Sequence, residues 1–233
     1  MSPSPIALLR GCFVTGTDTE IGKTCVSGGL VHAVRQRGLR AAAIKPLAAG
    51  QQQDAEGRWF NDDVRHLHGA QDLGLTEDEV GPFQWRTACA PHIAAAIEGR
   101  PIDPAAVRAA IHRLAARTEA LVVEGVGGFR VPLVPGWDTA DLAVDLALPV
   151  VLVVGLRLGC INHALLTAEA VRARGLHLAG WVGNTLDPAM PHLHDNLDAL
   201  RQGLPAPCWG VVPRLSDPTP AAVAAHLNPM PET

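Results

Sequence analysis

The stretch CFVTGTDTEIGKT, residues 12–24, decides the fold of this chain. A short run rich in strand-forming residues, Cys12 to Thr15, leads into a loop bounded by two glycines, and a helical pattern follows at once. In a phosphate-binding loop, backbone N–H groups and the helix N-terminus cradle phosphates, a lysine reaches the terminal phosphates and a threonine hydroxyl binds Mg2+. We expect Lys23 and Thr24 to take the last two roles.

The spacing of this loop is unusual. Five residues separate Gly16 from Gly22, whereas the common G-x-x-x-x-G-K-[ST] pattern has four. The alternative interpretation is a glycine-bounded turn that caps a helix. The Gly-Lys-Thr sequence between a strand and a helix favours the phosphate loop.

The rest of the chain alternates between strand-like and helix-like segments. The predicted strands are Cys12 to Thr15, Ala41 to Lys45, Leu121 to Glu124, Val150 to Val154, Leu178 to Val182 and Cys208 to Val212. The predicted helices are Lys23 to Arg37, Pro104 to Arg117, Ile161 to Arg174 and Pro191 to Gln202. This order predicts a single-domain α/β P-loop NTPase fold over residues 1–233, with a mostly parallel sheet, helices on both faces and ligands beyond the carboxyl ends of the strands.

Two segments fall outside this alternation. Gly50 to Pro91 is polar and rich in Gly and Pro, so we expect loops and short helices that flank the site. The tail from Pro213 holds five prolines up to Pro231, and we expect it to wrap the surface.

Composition excludes several classes of function. Hydrophobic residues make up 48% of the chain and charged residues 18%, which supplies a core and argues against disorder. The formal net charge is −4 and the 19 Lys and Arg residues are scattered, so nucleic acid is not an expected partner. The five cysteines are widely spaced without a C-x-x-C pair, which argues against a disulfide framework or zinc site and favours a reducing cytoplasm.

Targeting and membrane segments are not expected either. Met1 to Arg10 has neither a basic n-region nor a long apolar stretch, so it does not resemble a signal peptide. The most apolar run, Leu142 to Leu156, is interrupted by Asp145 and Pro149 and is shorter than the about 20 residues of a membrane helix. We therefore expect a cytoplasmic protein without a membrane partner.

Three charged residues stand at predicted strand ends or in the loops beside them. Glu124 ends a buried strand before a Gly-Val-Gly-Gly loop, where a Mg2+ ligand is expected in a P-loop protein. Lys45 also ends a strand and can stabilise charge that develops in phosphoryl transfer; a lysine that merely extends its ammonium to water is the alternative. Asp63 is the second carboxylate for Mg2+, with Asp62 in its place or an ordinary helix cap left open.

Six blocks of the sequence together resemble the dethiobiotin synthetase family. The blocks are Gly16 to Thr24, Lys45-Pro46, Pro91-His92, Glu98 to Ile102, Glu124 to Gly128 and Leu158 to His163. The resemblance runs from residue 12 to about residue 215, and this family has the same lengthened phosphate loop. Generic P-loop ATPases do not share all six blocks.

The resemblance implies a ligase of biotin biosynthesis that acts on 7,8-diaminononanoate, CO2 and ATP. One amine forms a carbamate with CO2, the carbamate oxygen attacks the γ-phosphate to give a carbamic-phosphoric anhydride and ADP, and the second amine closes the ring and expels phosphate. The implied catalytic residues are Thr19, Lys23 and Lys45. The implied Mg2+ ligands are Thr24, Asp63 and Glu124.

Binding residues are implied by the same resemblance. Nucleotide contacts are implied for Glu20, Ile21, Gly22, Lys23, Thr24, Cys25, Asp63, Glu124, Gly125, Val126, Gly127, Asn184, Thr185, Pro213, Arg214 and Leu215. Substrate contacts are implied for Thr19, Ala49, Gly127, Leu158, Gly159, Cys160 and Asn162. Family members are homodimers in which the loop from Leu158 to Asn162 reaches the partner's site and binds the substrate carboxylate, consistent with a helix N-terminus that attracts an anion; ordinary helix capping is the alternative.

The sequence departs from the family at two positions. Thr185 stands where many relatives carry an aspartate, which bears on the adenine contacts and on the preference for ATP. Ala49 stands where the family usually has a serine that contacts substrate. We expect weaker diamine binding from the lost hydroxyl, because a net hydrogen bond contributes about 0.5–1.5 kcal/mol.

Two other classes compete with this interpretation. A cobyrinate-type amidation enzyme would activate a carboxylate with ATP, but such enzymes usually carry a glutaminase domain, for which this chain has no room. A partitioning-type ATPase would use nucleotide to control dimerisation and often has a basic amphipathic tail. The proline-rich C-terminal segment here is neither basic nor periodic.

Overall fold

A computed structural model describes residues 10–229 of the chain. In chain order its elements are β1 (Gly11–Gly16), α1 (Lys23–Arg35), β2 (Ala41–Ile44), β3 (Leu47–Ala49), β4 (Gln52–Gln53), β5 (Trp59–Phe60), α2 (Asp62–Gly69), α3 (Glu77–Val80), β6 (Phe83–Trp85), α4 (Pro91–Ile97), α5 (Pro104–Ala115), β7 (Ala120–Glu124), β8 (Pro132–Val134), β9 (Trp137–Asp138), α6 (Thr139–Leu146), β10 (Val150–Leu156), α7 (Cys160–Ala173), β11 (Leu178–Thr185), α8 (Leu193–Gly203), β12 (Cys208–Val212) and α9 (Pro220–Ala224).

The main sheet positions the site. Within the described residues its strands lie in the order β12, β11, β10, β1, β7, β2, and every neighbouring pair runs parallel. All residues of β2 and β10 are buried, as expected for a parallel sheet that is covered by helices on both faces. The predicted α/β architecture is confirmed, and the carboxyl ends of β1, β2 and β7 meet at one edge of the sheet.

The predicted strands and helices match this architecture closely. Each of the six predicted strands overlaps a strand of the main sheet, and the four predicted helices overlap α1, α5, α7 and α8. The largest difference is in β11, which continues to Thr185 instead of ending at Val182. β11 extends beyond its apolar residues because its pairing with β10 continues as far as Leu156 and Thr185.

The structure adds elements that the sequence pattern did not predict. Between Gly50 and Pro91 it has the expected short helices α2 and α3, but also the strands β4, β5 and β6, with β6 paired to β3. Helices α4 and α6 were not predicted. Helix α6 begins with a capping box between Asp138 and Asp141, and its apolar end merges in sequence with β10, which hid the boundary.

The C-terminal tail differs from the expectation that it wraps the surface. Helix α9 packs on α1, and its Val223 is fully buried. The predictions for Met1 to Arg10, apart from Arg10 itself, and for Pro231 concern residues outside the described part. From residue 10 to residue 229, no helix combines the length and the apolar character needed to cross a bilayer.

The packing of α9 on α1 depends on small residues in α1. A β-carbon placed on Gly29 would lie 2.6 Å from Cγ1 of Val223, which is closer than two non-bonded carbon atoms approach in proteins. Glycine at this position therefore lets the two helices come together.

We predict that Gly29→Ala lowers the free energy of unfolding by about 1–3 kcal/mol, because the added methyl overpacks the α1–α9 contact. Gly69→Ala is the matched control, since Gly69 is also helical and has open space around it. This control should be neutral or raise stability by up to about 1 kcal/mol. Urea unfolding measures both, and equal effects of the two substitutions would contradict the packing argument.

Candidate active site

The loop between β1 and α1 is fastened to the end of β10. The backbone N–H of Thr17 donates to the Val153 carbonyl at 3.0 Å, and the Gly155 N–H donates to the Thr17 hydroxyl at 3.2 Å. Inside the loop, the Lys23 ammonium donates to the Asp18 carbonyl at 2.7 Å. These bonds hold the loop at the carboxyl edge of the sheet.

The start of α1 is open to an anion. Its N-cap is Gly22, with φ of 86°, and no side chain caps this helix end among the described residues. The Asn184 amide donates to the Ile21 carbonyl at 2.9 Å, and a β-carbon on Gly22 would lie 2.1 Å from the amide nitrogen. Only glycine fits both the left-handed backbone and this contact. Because no side chain caps the helix, the first N–H groups of α1 are available to a phosphate.

A buried ionic cluster lies beside the loop. The Glu124 side chain at the end of β7 is fully buried, and its Oε1 accepts hydrogen bonds from the Thr24 hydroxyl at 2.8 Å and from the Lys45 ammonium at 3.0 Å. Lys45 also pairs with Asp63 in the first turn of α2. A buried carboxylate is stable only when it is paired, and here the Lys45 ammonium supplies the opposite charge for Glu124.

The two lysines of the site differ in their electrostatics. Burial lowers the pKa of Lys23 to about 8, against the opposing influence of Glu124. Burial acts on Lys45 in the same direction, but the charges of Glu124 and Asp63 outweigh it and raise the pKa of Lys45 above its usual value. Lys45 is therefore a fixed cation near neutral pH. Burial would raise the pKa of Asp63, but Lys45 lowers it below the usual range.

Oxygen atoms around this cluster fit a hard divalent cation. Oε2 of Glu124 is buried and has no hydrogen-bond partner among the described residues, and Thr24, which is hydrogen bonded to Glu124, lines the neighbouring cavity together with Asp63. Asp62, the alternative to Asp63, instead accepts a hydrogen bond from the Gln52 amide. Mg2+ prefers carboxylate, hydroxyl, phosphate and water oxygens, so Thr24, Asp63 and Glu124 are a fitting set.

A cavity of about 750 Å3 brings most of the predicted residues together. Predicted site residues that line it are Thr19, Glu20, Ile21, Gly22, Lys23, Thr24, Cys25, Lys45, Ala49, Asp63, Val126 and Gly127. Lining residues that sequence reasoning missed are Asp18, Ala88, Cys89, Ala90, Pro91, Gly128 and Val131. The Pro91-His92 block was the available signal for the segment 88–91.

Other predicted residues lie outside the cavity. Glu124 acts from behind it through Thr24 and Lys45, and the remaining residues that do not line it are Gly125, Leu158, Gly159, Cys160, Asn162, Asn184, Thr185, Pro213, Arg214 and Leu215. Leu158 is 94% exposed and Asn162 is also exposed, whereas Cys160 is buried. Asn184 is engaged with the phosphate loop, and Thr185 is buried in β11.

Fold and site together define a P-loop nucleotide-binding protein. The family model described as "AAA domain" (AAA_26) matches residues 10–222. Solved structures share the fold at low sequence identity: a ParA family ATPase from Chlorobium tepidum, with a TM-score of 0.53, 13% identity, and 94% of this chain and 91% of that chain covered, and MinD from the MinC:MinD complex of Aquifex aeolicus, with a TM-score of 0.53, 15% identity, and coverage of 89% and 82%.

Curated relatives are far closer in sequence. An ATP-dependent dethiobiotin synthetase of Aromatoleum aromaticum is 54% identical over 94% of this chain and 97% of that protein. Those of Janthinobacterium sp. (strain Marseille) and Pseudomonas aeruginosa are 55% and 53% identical, each over 93% of this chain and over 93% and 95% of their own lengths. The chain belongs to the ATP-dependent dethiobiotin synthetase family.

We predict that Gly22→Ala weakens ADP binding at least tenfold, because the methyl group strains the left-handed backbone and displaces the Asn184 amide from the loop. Gly57→Ala is the matched control: Gly57 also has positive φ, at 77°, but nothing lies near its β-carbon position. Gly57→Ala should lose about 1–2 kcal/mol of stability from backbone strain, and Gly22→Ala should lose more because its methyl also meets the Asn184 amide. Isothermal titration calorimetry should show weakened ADP binding for Gly22→Ala alone; unchanged affinity in that variant would refute the role of this glycine.

Proposed function

We propose that this chain converts 7,8-diaminononanoate, CO2 and ATP to dethiobiotin, ADP and phosphate, as a Mg2+-dependent cyclo-ligase. The observation that carries the proposal is the position of Lys45, clamped between Glu124 and Asp63 on the wall of a cavity that the phosphate loop also lines. Membership of the ATP-dependent dethiobiotin synthetase family supports this choice of substrates. On this proposal residues 1–233 form one catalytic unit.

The residues of the cavity suit a reaction that mainly requires positioning and charge stabilisation. One amine of the diamine adds to CO2 and loses a proton, and an oxygen of the resulting carbamate displaces ADP from the γ-phosphorus. The second amine then attacks the carbonyl carbon, phosphate leaves, and the nitrogen loses its proton as the cyclic urea forms. Lys23 would stabilise the transferring phosphoryl group, and the Thr19 hydroxyl would contact the carbamate.

Lys45 has the charge state that this role requires. Its raised pKa keeps it protonated near neutral pH, so it serves as a cation for the carbamate and the phosphoryl group and not as a general base. Because Lys45 already lies against Glu124 and Asp63, no rearrangement of the main sheet is needed to present it to the cavity.

The metal and nucleotide contacts follow from the same arrangement. Mg2+ held by Thr24, Asp63 and Glu124 would neutralise charge on the β- and γ-phosphates of ATP. Residues 20–25 and 125–127 would surround the phosphates. Asn184, Thr185 and the segment Pro213 to Leu215 would hold the adenine.

The substrate carboxylate requires a second copy of the chain. Leu158, Gly159, Cys160 and Asn162 do not line the cavity of their own chain, and both Leu158 and Asn162 project into solvent. In a homodimer these residues would reach the partner's cavity, where the N-terminus of α7 would bind the carboxylate. We place this enzyme in the cytoplasm, with small-molecule substrates and no nucleic-acid or membrane partner.

A partitioning-type ATPase is the alternative of a different class. The likeness to the ParA family ATPase and to MinD concerns the fold alone, given 13% and 15% identity. The two proposals differ in what stimulates ATP hydrolysis: the diamine with bicarbonate in one case, and a partner protein or surface in the other.

We predict phosphate release from MgATP only when bicarbonate and 7,8-diaminononanoate are both present, with the cyclic urea detected by mass spectrometry. Lys45→Ala should lower kcat by about 100-fold or more, as expected when one preorganised donor to developing charge is removed. Hydrolysis without the diamine and without the urea would favour the ATPase alternative.

Loss of activity in Lys45→Ala must be distinguished from loss of folding. Removing Lys45 leaves Glu124 and Asp63 without their cation and can cost several kcal/mol of stability. Lys45→Arg keeps the charge with a different shape, so it should fold better than Lys45→Ala and still turn over slowly. Circular dichroism and urea unfolding of both variants separate a catalytic defect from unfolding.

We predict that Ala49→Ser lowers the KM for the diamine by about two- to tenfold, the range that one net hydrogen bond provides. Ala49 and Lys45 line the same cavity, so the new hydroxyl would face the substrate. Steady-state kinetics at saturating MgATP measures the effect. An unchanged or raised KM would show that the departure at Ala49 does not weaken substrate binding.

A further inference from the structure

Asn61 is a buried polar residue that neither the sequence pattern nor the proposed mechanism uses. It is 5% exposed and stands immediately before α2, in an extended backbone conformation. Its carboxamide is hydrogen bonded on both sides. A buried amide with its donor and acceptor both engaged restricts the groups it joins.

The carboxamide joins two walls of the site. Its oxygen accepts the Val64 N–H at 3.2 Å and so caps α2, while its nitrogen donates to the carbonyls of Ala49 at 3.3 Å and Gly50 at 3.4 Å. Ala49 ends β3 and lines the cavity. Asp63 lies in the first turn of the helix that Asn61 caps.

Helix capping alone does not require the amide donor of Asn61. Other helices of the described part are capped by Thr76 at α3, Asp103 at α5 and Thr219 at α9, each through a side-chain oxygen. None of these side chains carries an N–H group, and a hydroxyl or carboxylate is sufficient for a cap. The bonds from Asn61 to Ala49 and Gly50 are therefore an addition to the cap.

The amide also closes the base of a hairpin. Strands β4 and β5 lie in the ten-residue stretch between Gly50 and Asn61, so the bond from Asn61 to Gly50 joins the two ends of this excursion. The same excursion separates Ala49 from Asp63 in sequence. Asp63 is also held by its ion pair with Lys45, and the Gln52 amide donates to Asp62. Asn61 adds a direct link from the cap of α2 to Ala49.

We propose that Asn61 is a positioning residue that sets Ala49 and Asp63 relative to each other, and thereby couples the substrate wall of the cavity to its metal-binding carboxylate. This inference rests on the proposed function, in which Ala49 faces the diamine and Asp63 binds Mg2+. Asn61 touches neither ligand and acts through these two neighbours. Within the described residues, Asn61 makes no hydrogen bond with the phosphate loop.

The test is Asn61→Ser, which keeps an oxygen to cap α2 but is too short to reach the two carbonyls. We expect the KM for the diamine and the Mg2+ concentration for half-maximal activity to rise together, each about three- to tenfold. In calorimetry, ADP should bind with unchanged affinity in the absence of Mg2+, while the tightening of ADP binding by Mg2+ should be reduced. If Asn61 only stabilised the fold, its replacement would change ADP binding equally with and without Mg2+.

Two control variants are needed: a cap substitution in a helix away from the cavity, and a second substitution of Asn61. Asp103→Ser changes a cap of α5, which does not line the cavity, and should leave both kinetic parameters and both titrations unchanged. Asn61→Thr also keeps an oxygen for the cap and removes the amide donor without burying a charge, so it should reproduce the same pattern if Asn61→Ser does not fold.

Two outcomes would overturn the proposal: unchanged parameters in a folded Asn61 variant, or a metal-independent loss of ADP binding that parallels a loss of stability. The calorimetric part does not require turnover. If the wild-type chain made no dethiobiotin, the proposed function would fail, while the Mg2+-dependent ADP titration would still report whether Asn61 positions Asp63.

Discussion

The ion pair between Lys45 and Glu124 is the interaction on which the site depends. Ile44, the last residue of β2, pairs with Val123 of β7, so the register of the sheet brings the following residues, Lys45 and Glu124, side by side. Neither charge could be buried alone, because an unpaired charge in the protein interior costs several kcal/mol. The pairing of the edge strand β2 with β7 thus determines where the cation of the site lies.

The phosphate loop is held by the same sheet, from its other side. Bonds from β10 fix Thr17, and the Asn184 amide from β11 fixes Ile21 next to the glycine that opens α1. Three neighbouring strands, β1, β10 and β11, therefore hold the loop, while β2 and β7 hold the ionic cluster. Strand pairing therefore preorganises the loop and the Lys45–Glu124 pair, and the first turns of α1 and α2 add Thr24 and Asp63 to the site.

The sequence predicted the main sheet because its strands are short β-branched or aliphatic runs that alternate with helical patterns. It also predicted that Lys23, Thr24, Lys45 and Glu124 would be near one another, since the carboxyl ends of parallel strands share an edge. It did not predict the two- and three-residue strands near Asp63, which are too short for any periodicity. It also missed Asn61, whose role depends on a contact with Ala49 that only the folded chain creates.

The identity of the site's cations has a consequence for chemical modification. Lys23 and Lys45 are the only lysines in the 233-residue sequence, and the other 17 of its 19 basic side chains are arginines. Both lysines are 6% exposed, so an amine-reactive reagent finds no exposed lysine side chain on the surface. Acylation of a lysine side chain in this protein would therefore report directly on the opening of the site, and a ligand bound there would protect both amines.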